Sequence, residues 1–213
     1  MALEIAGAAE FKEHLFAYPG FLDPEGFHRE FSQTPPLHGQ KADFDAIPTE
    51  DPLFDEWVNI TAKGIHGLYS ELPSVLISVA DGTNRLVGPV AEELGHKIVG
   101  LVTKKTKEGI VVLTPETWRK VHGRKPEFAL VLEDVASEGN QVASAVRHTK
   151  EAGAQRTEAL IALKRQRRLK KLVGIAHKSI LDFDLPTFTE KDCMTLPEGF
   201  CKLGWKLIPY KVE

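Results

Sequence analysis

The sequence predicts an α/β fold, a doubly wound parallel sheet carrying a small N-terminal hood subdomain. Three observations predict it. From about residue 51 onward, apolar runs of strand length alternate with amphipathic helical patterns. The runs are near-continuous, which is how strands read when helices cover both faces of a parallel sheet. Residues 1–50 share none of this periodicity. In open sheets of this kind, ligands bind beyond the carboxyl ends of the strands.

Residues 1–50 mix aromatic residues with Pro, Gly and His, as in Ala17-Tyr18-Pro19-Gly20 and Thr34-Pro35-Pro36-Leu37-His38-Gly39, and predict short helices, turns and a hairpin. Asp51 is an N-cap and Pro52 suits a first helical position; Leu53, Trp57, Ile60, Gly64 and Leu68 then recur at helical spacing, predicting a helix to about Tyr69. The apolar run 75–79 predicts a strand, Ala80-Asp81-Gly82-Thr83-Asn84 a polar turn, and Leu86, Val87, Val90, Ala91 and Leu94 a helix that Gly95 stops. Residues 97–102 repeat the strand. A basic loop, 103–109, and a hairpin strand, 110–113, follow. Residues 128–132 form the next strand, followed by a helix carrying Val142, Ala145, Val146 and Thr149 that stops at Gly153; 158–163 is a further strand. The chain thus divides into an N-terminal region at 1–50, a core at 51–185 and a C-terminal extension at 186–213.

Length and charge bound the function. A chain of 213 residues suits one α/β domain with a small subdomain. With 27 Lys and Arg against 30 Asp and Glu, the net charge of −3 leaves any anionic ligand to local basic groups, which argues against a dedicated nucleic-acid binder. The basic run from Lys164 to Lys171 reads as a solvated face rather than an RNA stripe. No apolar run approaches the ~18 residues of a membrane span, and no leader pattern opens the chain, so a cytoplasmic protein is expected. The two cysteines, Cys193 and Cys201, would share a metal only with ligands from elsewhere, and no His-x-x-x-His pair occurs; both are read as packing thiols. Trp118 and Trp205 are read as packing residues too.

Chemistry concentrates in 128–146. There an apolar strand ends in Glu133 and Asp134, and a Ser-x-Gly turn opens a helix. Backbone N–H groups and a helix N-terminus suit a phosphate, while paired acids accept ribose hydroxyls, so one element would hold both ends of a ribose phosphate. An acidic strand end that merely caps a turn would give the same spacing.

The stretch from Leu130 to Asn140, with hydrophobic residues, two acids, two small residues, a hydroxyl residue and Gly, resembles the 5-phosphoribosyl diphosphate (PRPP) motif of type I phosphoribosyltransferases. The resemblance implies that Glu133 and Asp134 contact the ribose hydroxyls and that Ala136, Ser137, Glu138, Gly139 and Asn140 surround the 5-phosphate. The turn at Asp81, Gly82 and Thr83 is similar to the family's pyrophosphate loop. Lys104, Lys105 and Lys107 lie where orotate phosphoribosyltransferases carry a longer basic loop that closes over pyrophosphate; here the loop is shorter and lacks a His. Leu160-Ile161-Ala162-Leu163-Lys164-Arg165-Gln166 resembles a strand end whose Arg grips the carboxylate of orotate, and Arg165 would take that role. Residues 37–45 resemble the hood hairpin over the base.

The resemblance implies transfer of ribose 5-phosphate from PRPP to a nucleobase, orotate before other bases, with release of pyrophosphate, in a homodimer. It also implies Mg2+ held mainly through PRPP, with no protein ligand assigned. Lys104, Lys105, Lys107 and Asp134 are the expected catalytic groups. Two departures stand out, Glu138 and Asn140, both at phosphate-loop positions that usually hold a small or hydroxyl residue, and a carboxylate beside a phosphate is repulsive unless it turns away or pairs with a cation. A PRPP-fold binding or regulatory protein, and a transferase for another base, are the alternative expectations.

Overall fold

The computed structural model describes residues 5–31, 37–95, 97–165, 172–183 and 185–208. Helix α1 (Ala8–Ala17) precedes strands β1 (Phe27–Phe31) and β2 (Leu37–Gly39), a short 3-10 turn at Phe44–Ala46, and helix α2 (Pro52–Leu68). Asp51 caps α2 by accepting from the Leu53 N–H at 2.9 Å, with Pro52 behind it, and Leu53, Trp57, Ile60, Gly64 and Ile65 form its buried face. Then come β3 (Val75–Ser78), α3 (Val87–Leu94), β4 (Val99–Leu101), the hairpin of β5 (Thr103–Lys105) and β6 (Val111–Leu113), α4 (Pro115–Arg124), β7 (Phe128–Ala136), α5 (Asn140–Glu151), β8 (Arg156–Lys164) and β9 (His177–Asp182). Strand β10 (Thr187–Thr189), helix α6 (Glu190–Thr195) and β11 (Lys206–Ile208) complete the described chain.

Five strands form one all-parallel sheet in the order β4-β3-β7-β8-β9. Side-chain alternation divides its interior. Leu76, Leu130, Leu132 and Leu160 face α1, α2, α3 and the segment through Ile47. Val75, Ile77, Ala129, Val131 and Ile161 face the other way, toward α5, Val121 of α4 and the β6 side of the hairpin. In sequence order the strands run second, first, third, fourth, fifth across the sheet. The order therefore reverses between β3 and β7, the position at which doubly wound sheets leave a crevice for ligands.

Beside this sheet lies a second, of four strands in the order β10-β2-β1-β11. Strand β2 pairs antiparallel with β1 and β10, whereas β11 runs parallel to β1. The two ends of the chain thus build one small sheet.

Three features differ from the sequence expectation. Strand β7 continues past Leu132 to Ala136, paired with β8 as far as Lys164, because a parallel neighbour holds the backbone of Glu133 and Asp134 in the ladder despite their charge. Strand β9 was not anticipated; as an edge strand with only Leu181 fully buried, it lacks the unbroken apolar signature. Helix α4 is largely polar, with Thr117 and Val121 its only buried residues, and its Thr114 cap and Pro115 are its sequence signal. Of the basic run, residues 166–171 lie outside the described residues; Lys164 pairs with Asp182 at 3.0 Å. Among the described residues, no helix is long and apolar enough to cross a membrane.

Candidate functional site

The loops after β3 and β7 flank the switch point and meet there. Residues 79–86 form the first loop, which internal hydrogen bonds hold in shape. The buried Thr83 hydroxyl accepts from the Val79 N–H at 2.8 Å and lies 2.9 Å from the carbonyls of both Val79 and Leu132, so its single proton ties the loop to its own start or to β7. The Thr103 hydroxyl accepts from the Ala80 N–H at 2.9 Å and donates to Ser78 O at 3.0 Å, fastening the loop to the hairpin. The Ala80–Asp81 peptide is cis. Thr83 is therefore a fastener whose side chain is already engaged, while Asp81 and Gly82 line the cavity above the sheet.

Contact between the two loops depends on a missing side chain. A Cβ on Gly82 would lie 2.0 Å from Asp134 Oδ2, so only glycine lets the first loop seat against the acid of the second. The two acids of β7 differ in reach. Asp134 shares a cavity of about 230 Å3 with Asp81, Gly82, Lys41, Asp43 and Asp45, whereas Glu133 lines both this cavity and a larger one of about 520 Å3. Ala136, Ser137, Glu138, Gly139, Asn140 and Lys105 line the larger cavity.

That larger cavity is suited to an anion. Gly139 adopts φ 87° at the start of α5, and no side chain caps the helix, so its first N–H groups face the cavity as donors. Glu138 lines the same space, and its carboxylate accepts from Asn140 Nδ2 at 3.2 Å.

Alternation sorts the three lysines. Thr103 of β5 points inward under the first loop, and Lys105, two residues on, reaches both cavities. All three are exposed, but Lys104 and Lys107 line neither cavity.

Electrostatics mark the acid pair. Burial is the main cause holding the Glu133 carboxyl well above the usual carboxylate range, with the charge of Asp134 and a hydrogen bond between the two carboxyls adding to it; Lys105 works in the opposite direction. Burial raises Asp134 too, while its hydrogen bonds with Glu133 and with the Val135 N–H, the latter at 2.7 Å, pull it down. Glu133 is therefore the more strongly raised of the two. Its Oε2 has no hydrogen-bond partner among the described residues.

Arg165 sits apart from both cavities. It is buried beyond the end of β8, where its Nη2 donates to Gln40 O at 2.5 Å and links the core to the segment after β2; burial lowers its pKa to about 10. Lys41, Asp43, Asp45 and Gln141 line the site without having been singled out in the sequence. Arg85 fastens the end of the segment that carries the first three by donating to the carbonyls of Phe44 and Ile47, and Lys41 is held by Asp23 and Asp43. Their signal was weak, since single polar residues in an aperiodic stretch look like any loop.

Known structures share this fold. An orotate phosphoribosyltransferase from Aeropyrum pernix aligns over 94% of this chain and 99% of its own, with a TM-score of 0.58 and 16% identity. A phosphoribosyltransferase from Corynebacterium diphtheriae aligns over 82% and 95%, with a TM-score of 0.59 and 18% identity. The fold is that of the type I phosphoribosyltransferases. An adenine phosphoribosyltransferase from Saccharomyces cerevisiae, at a TM-score of 0.55 and 11% identity, covers 81% of this chain and 99% of its own, so the phosphoribosyltransferase fold here is similar to enzymes named for different bases. No protein-family model matches the sequence, and a search of curated proteins finds no significant match.

Proposed function

We propose that the chain is a phosphoribosyltransferase that transfers ribose 5-phosphate from PRPP to a nucleobase, with orotate the first candidate base. The observation that carries this reading is the pairing of loops at the switch point: Gly82 seated on Asp134, with the open N-terminus of α5 on one side and Asp81 on the other. The larger cavity would take the 5-phosphate against Ala136, Ser137, Gly139 and Asn140. Glu133 and Asp134 would orient the ribose hydroxyls, and Asp81 and Gly82 would lie along the pyrophosphate.

The reaction forms a bond from a ring nitrogen of the base to the anomeric carbon and breaks the bond from that carbon to pyrophosphate. Positive charge builds on the ribose and negative charge on the leaving group. Lys105 is the cation of the hairpin positioned to stabilise the departing pyrophosphate, with Lys104 and Lys107 available only if the hairpin moves. The carboxylates of Asp81, Asp43, Asp45 and Asp134 give the smaller cavity an oxygen-rich lining that fits a hard divalent cation such as Mg2+. Mg2+ bound with PRPP would neutralise pyrophosphate charge. Arg165 would act on the base through the Gln40 segment, or directly once that segment lifts. A homodimer is expected by analogy with the family.

Glu138 favours a second reading, a PRPP-fold protein that binds without turnover, because its carboxylate borders the proposed phosphate site. Pyrophosphate release measured with PRPP, Mg2+ and each of orotate, uracil, hypoxanthine, guanine, adenine and xanthine separates the two. Release with orotate supports the first reading. Release with another base alone moves the specificity, and PRPP binding without release on any base leaves the second.

A further inference from the structure

Outside this site, the small sheet contains a cluster with a different chemistry. His28 of β1, His38 of β2, Cys193 of α6 and Cys201 in the turn after it bring one ligand atom each within 4.8 Å of all the others. His28, His38 and Cys193 are buried, and Cys201 is partly so. His28 Nε2 and His38 Nδ1 each lie 3.3 Å from the Cys201 sulfur, and the Cys201 N–H donates to the Cys193 sulfur at 3.1 Å.

Local structure explains the convergence. His38 lies opposite Glu30 in the β1–β2 register, so His28, two residues before Glu30, is its diagonal neighbour on the same face of the sheet. The turn after α6 folds back on itself: the Lys202 N–H donates to Cys193 O at 2.9 Å, and a Cβ on Gly199 would come 2.3 Å from that same oxygen. Glycine there allows Cys201 to return beside Cys193.

We propose that His28, His38, Cys193 and Cys201 form a structural zinc site. Two sulfurs and two imidazole nitrogens are the donors that tetrahedral zinc takes, and they are softer than the all-oxygen sets of Mg2+ or Ca2+. With Zn–S near 2.3 Å and Zn–N near 2.0 Å, the edges of such a tetrahedron are roughly 3.3–3.8 Å. The two His–Cys201 separations already stand at that edge length, and the remaining pairs need only a small contraction. Without a cation the set is poorly satisfied. Two imidazole nitrogens face one thiol, and the other nitrogen of His28, Nδ1, is buried with no partner among the described residues. Two thiolates would balance a dication, which suits the aromatic surroundings of Phe200, Phe188 and Trp205.

Four protein ligands leave no open position, so the site closes the fold rather than performing chemistry. It would clamp the start of the chain to its end. His38 is two residues from Gln40, the acceptor for Arg165, and three from Lys41, which lines the smaller cavity. Zinc would thereby fix the floor of the hood, whatever reaction the other site performs.

Metal analysis of the full chain, purified without a metal-affinity tag, tests this. About one zinc per chain is expected, with cobalt exchange giving the ligand-field bands of a tetrahedral site and a thiolate-to-cobalt charge-transfer band. The Cys193→Ser/Cys201→Ser variant should lose both the zinc and the charge-transfer band. If that variant does not fold, a zinc titration of the chelator-treated wild type against a chromophoric competitor gives the same answer, as does His38→Gln. Wild-type protein that is folded, has two titratable thiols and takes up no zinc or cobalt would overturn the proposal. So would a Cys193–Cys201 disulfide found under reducing conditions.

Discussion

The loop after β3 and the loop after β7 touch at Gly82 and Asp134, yet they are held in different ways. In the first, Thr83, Thr103 and Ser78 saturate the backbone with hydrogen bonds, and the side chains that matter are fasteners. The second leaves polar groups uncommitted: among the described residues, Glu133 keeps a buried oxygen without a partner and α5 begins without a side-chain cap. A buried group left without a partner in a folded protein costs stability, so its persistence points to a ligand that completes it. The first loop is a shaped wall and the second is where recognition would occur.

The largest test of this contrast is Gly82→Ala. Its methyl group would displace Asp134 or the loop, and a shift of about 1 Å at a reacting centre lowers kcat/KM on the order of 10²-fold. Steady-state kinetics on the accepted base, with circular dichroism showing an intact fold, checks it; near-normal activity would break the claim that the two loops act together. Next comes the lysine pair. Lys105→Ala should lower kcat by roughly 10- to 100-fold and Lys104→Ala by far less, because only Lys105 reaches the cavities. Equal losses would mean that the hairpin rearranges during turnover.

Thr83→Val should act on stability instead. It removes the hydroxyl bonds to the Val79 N–H and the Leu132 carbonyl, which stay bonded to each other at 2.9 Å, at a cost of about 0.5–1.5 kcal/mol in urea unfolding. PRPP affinity in the fraction that remains folded should change little; a large affinity loss at unchanged stability would make Thr83 a ligand contact.

Glu133→Gln tests the second loop through pH. Because burial raises the Glu133 pKa above its ordinary 4.5, the folded state holds a proton that the unfolded chain releases. Stability is fully present below that ordinary value and falls as pH rises through the higher folded one. The glutamine variant should show a shallower decline as pH rises above 4.5, whereas parallel curves would place the charge elsewhere. The smallest effect expected is from Glu138→Ser, which removes a negative charge from the larger cavity and should tighten PRPP binding several-fold. Unchanged or weaker binding would mean that Glu138 already points away or pairs with a cation.

The parallel core was legible in the sequence because burial on both faces writes itself into runs such as 75–79 and 128–132. The acid pair and Gly139 stood out as adjacent charges at a strand end before a glycine turn, although an acidic strand end that merely caps a turn gives the same spacing. What the sequence hid depends on distance along the chain. His28 and His38 meet Cys193 and Cys201 only because β1 and β2 pair with β10 and β11, and no local spacing encodes that contact. The sorting of Lys104 from Lys105 likewise needs the register of β5 with β6. Asp45 is held at the site by Arg85, a residue remote from it in sequence and silent in the periodicity, and Lys41 by Asp23 and Asp43.

Calorimetric titration of the folded chain with PRPP in the presence of Mg2+ tests the central claim most directly. Saturable binding at about one PRPP per chain, competed by ribose 5-phosphate and weakened by Gly82→Ala, is the predicted result. No binding at millimolar PRPP by protein shown to be folded would contradict the account.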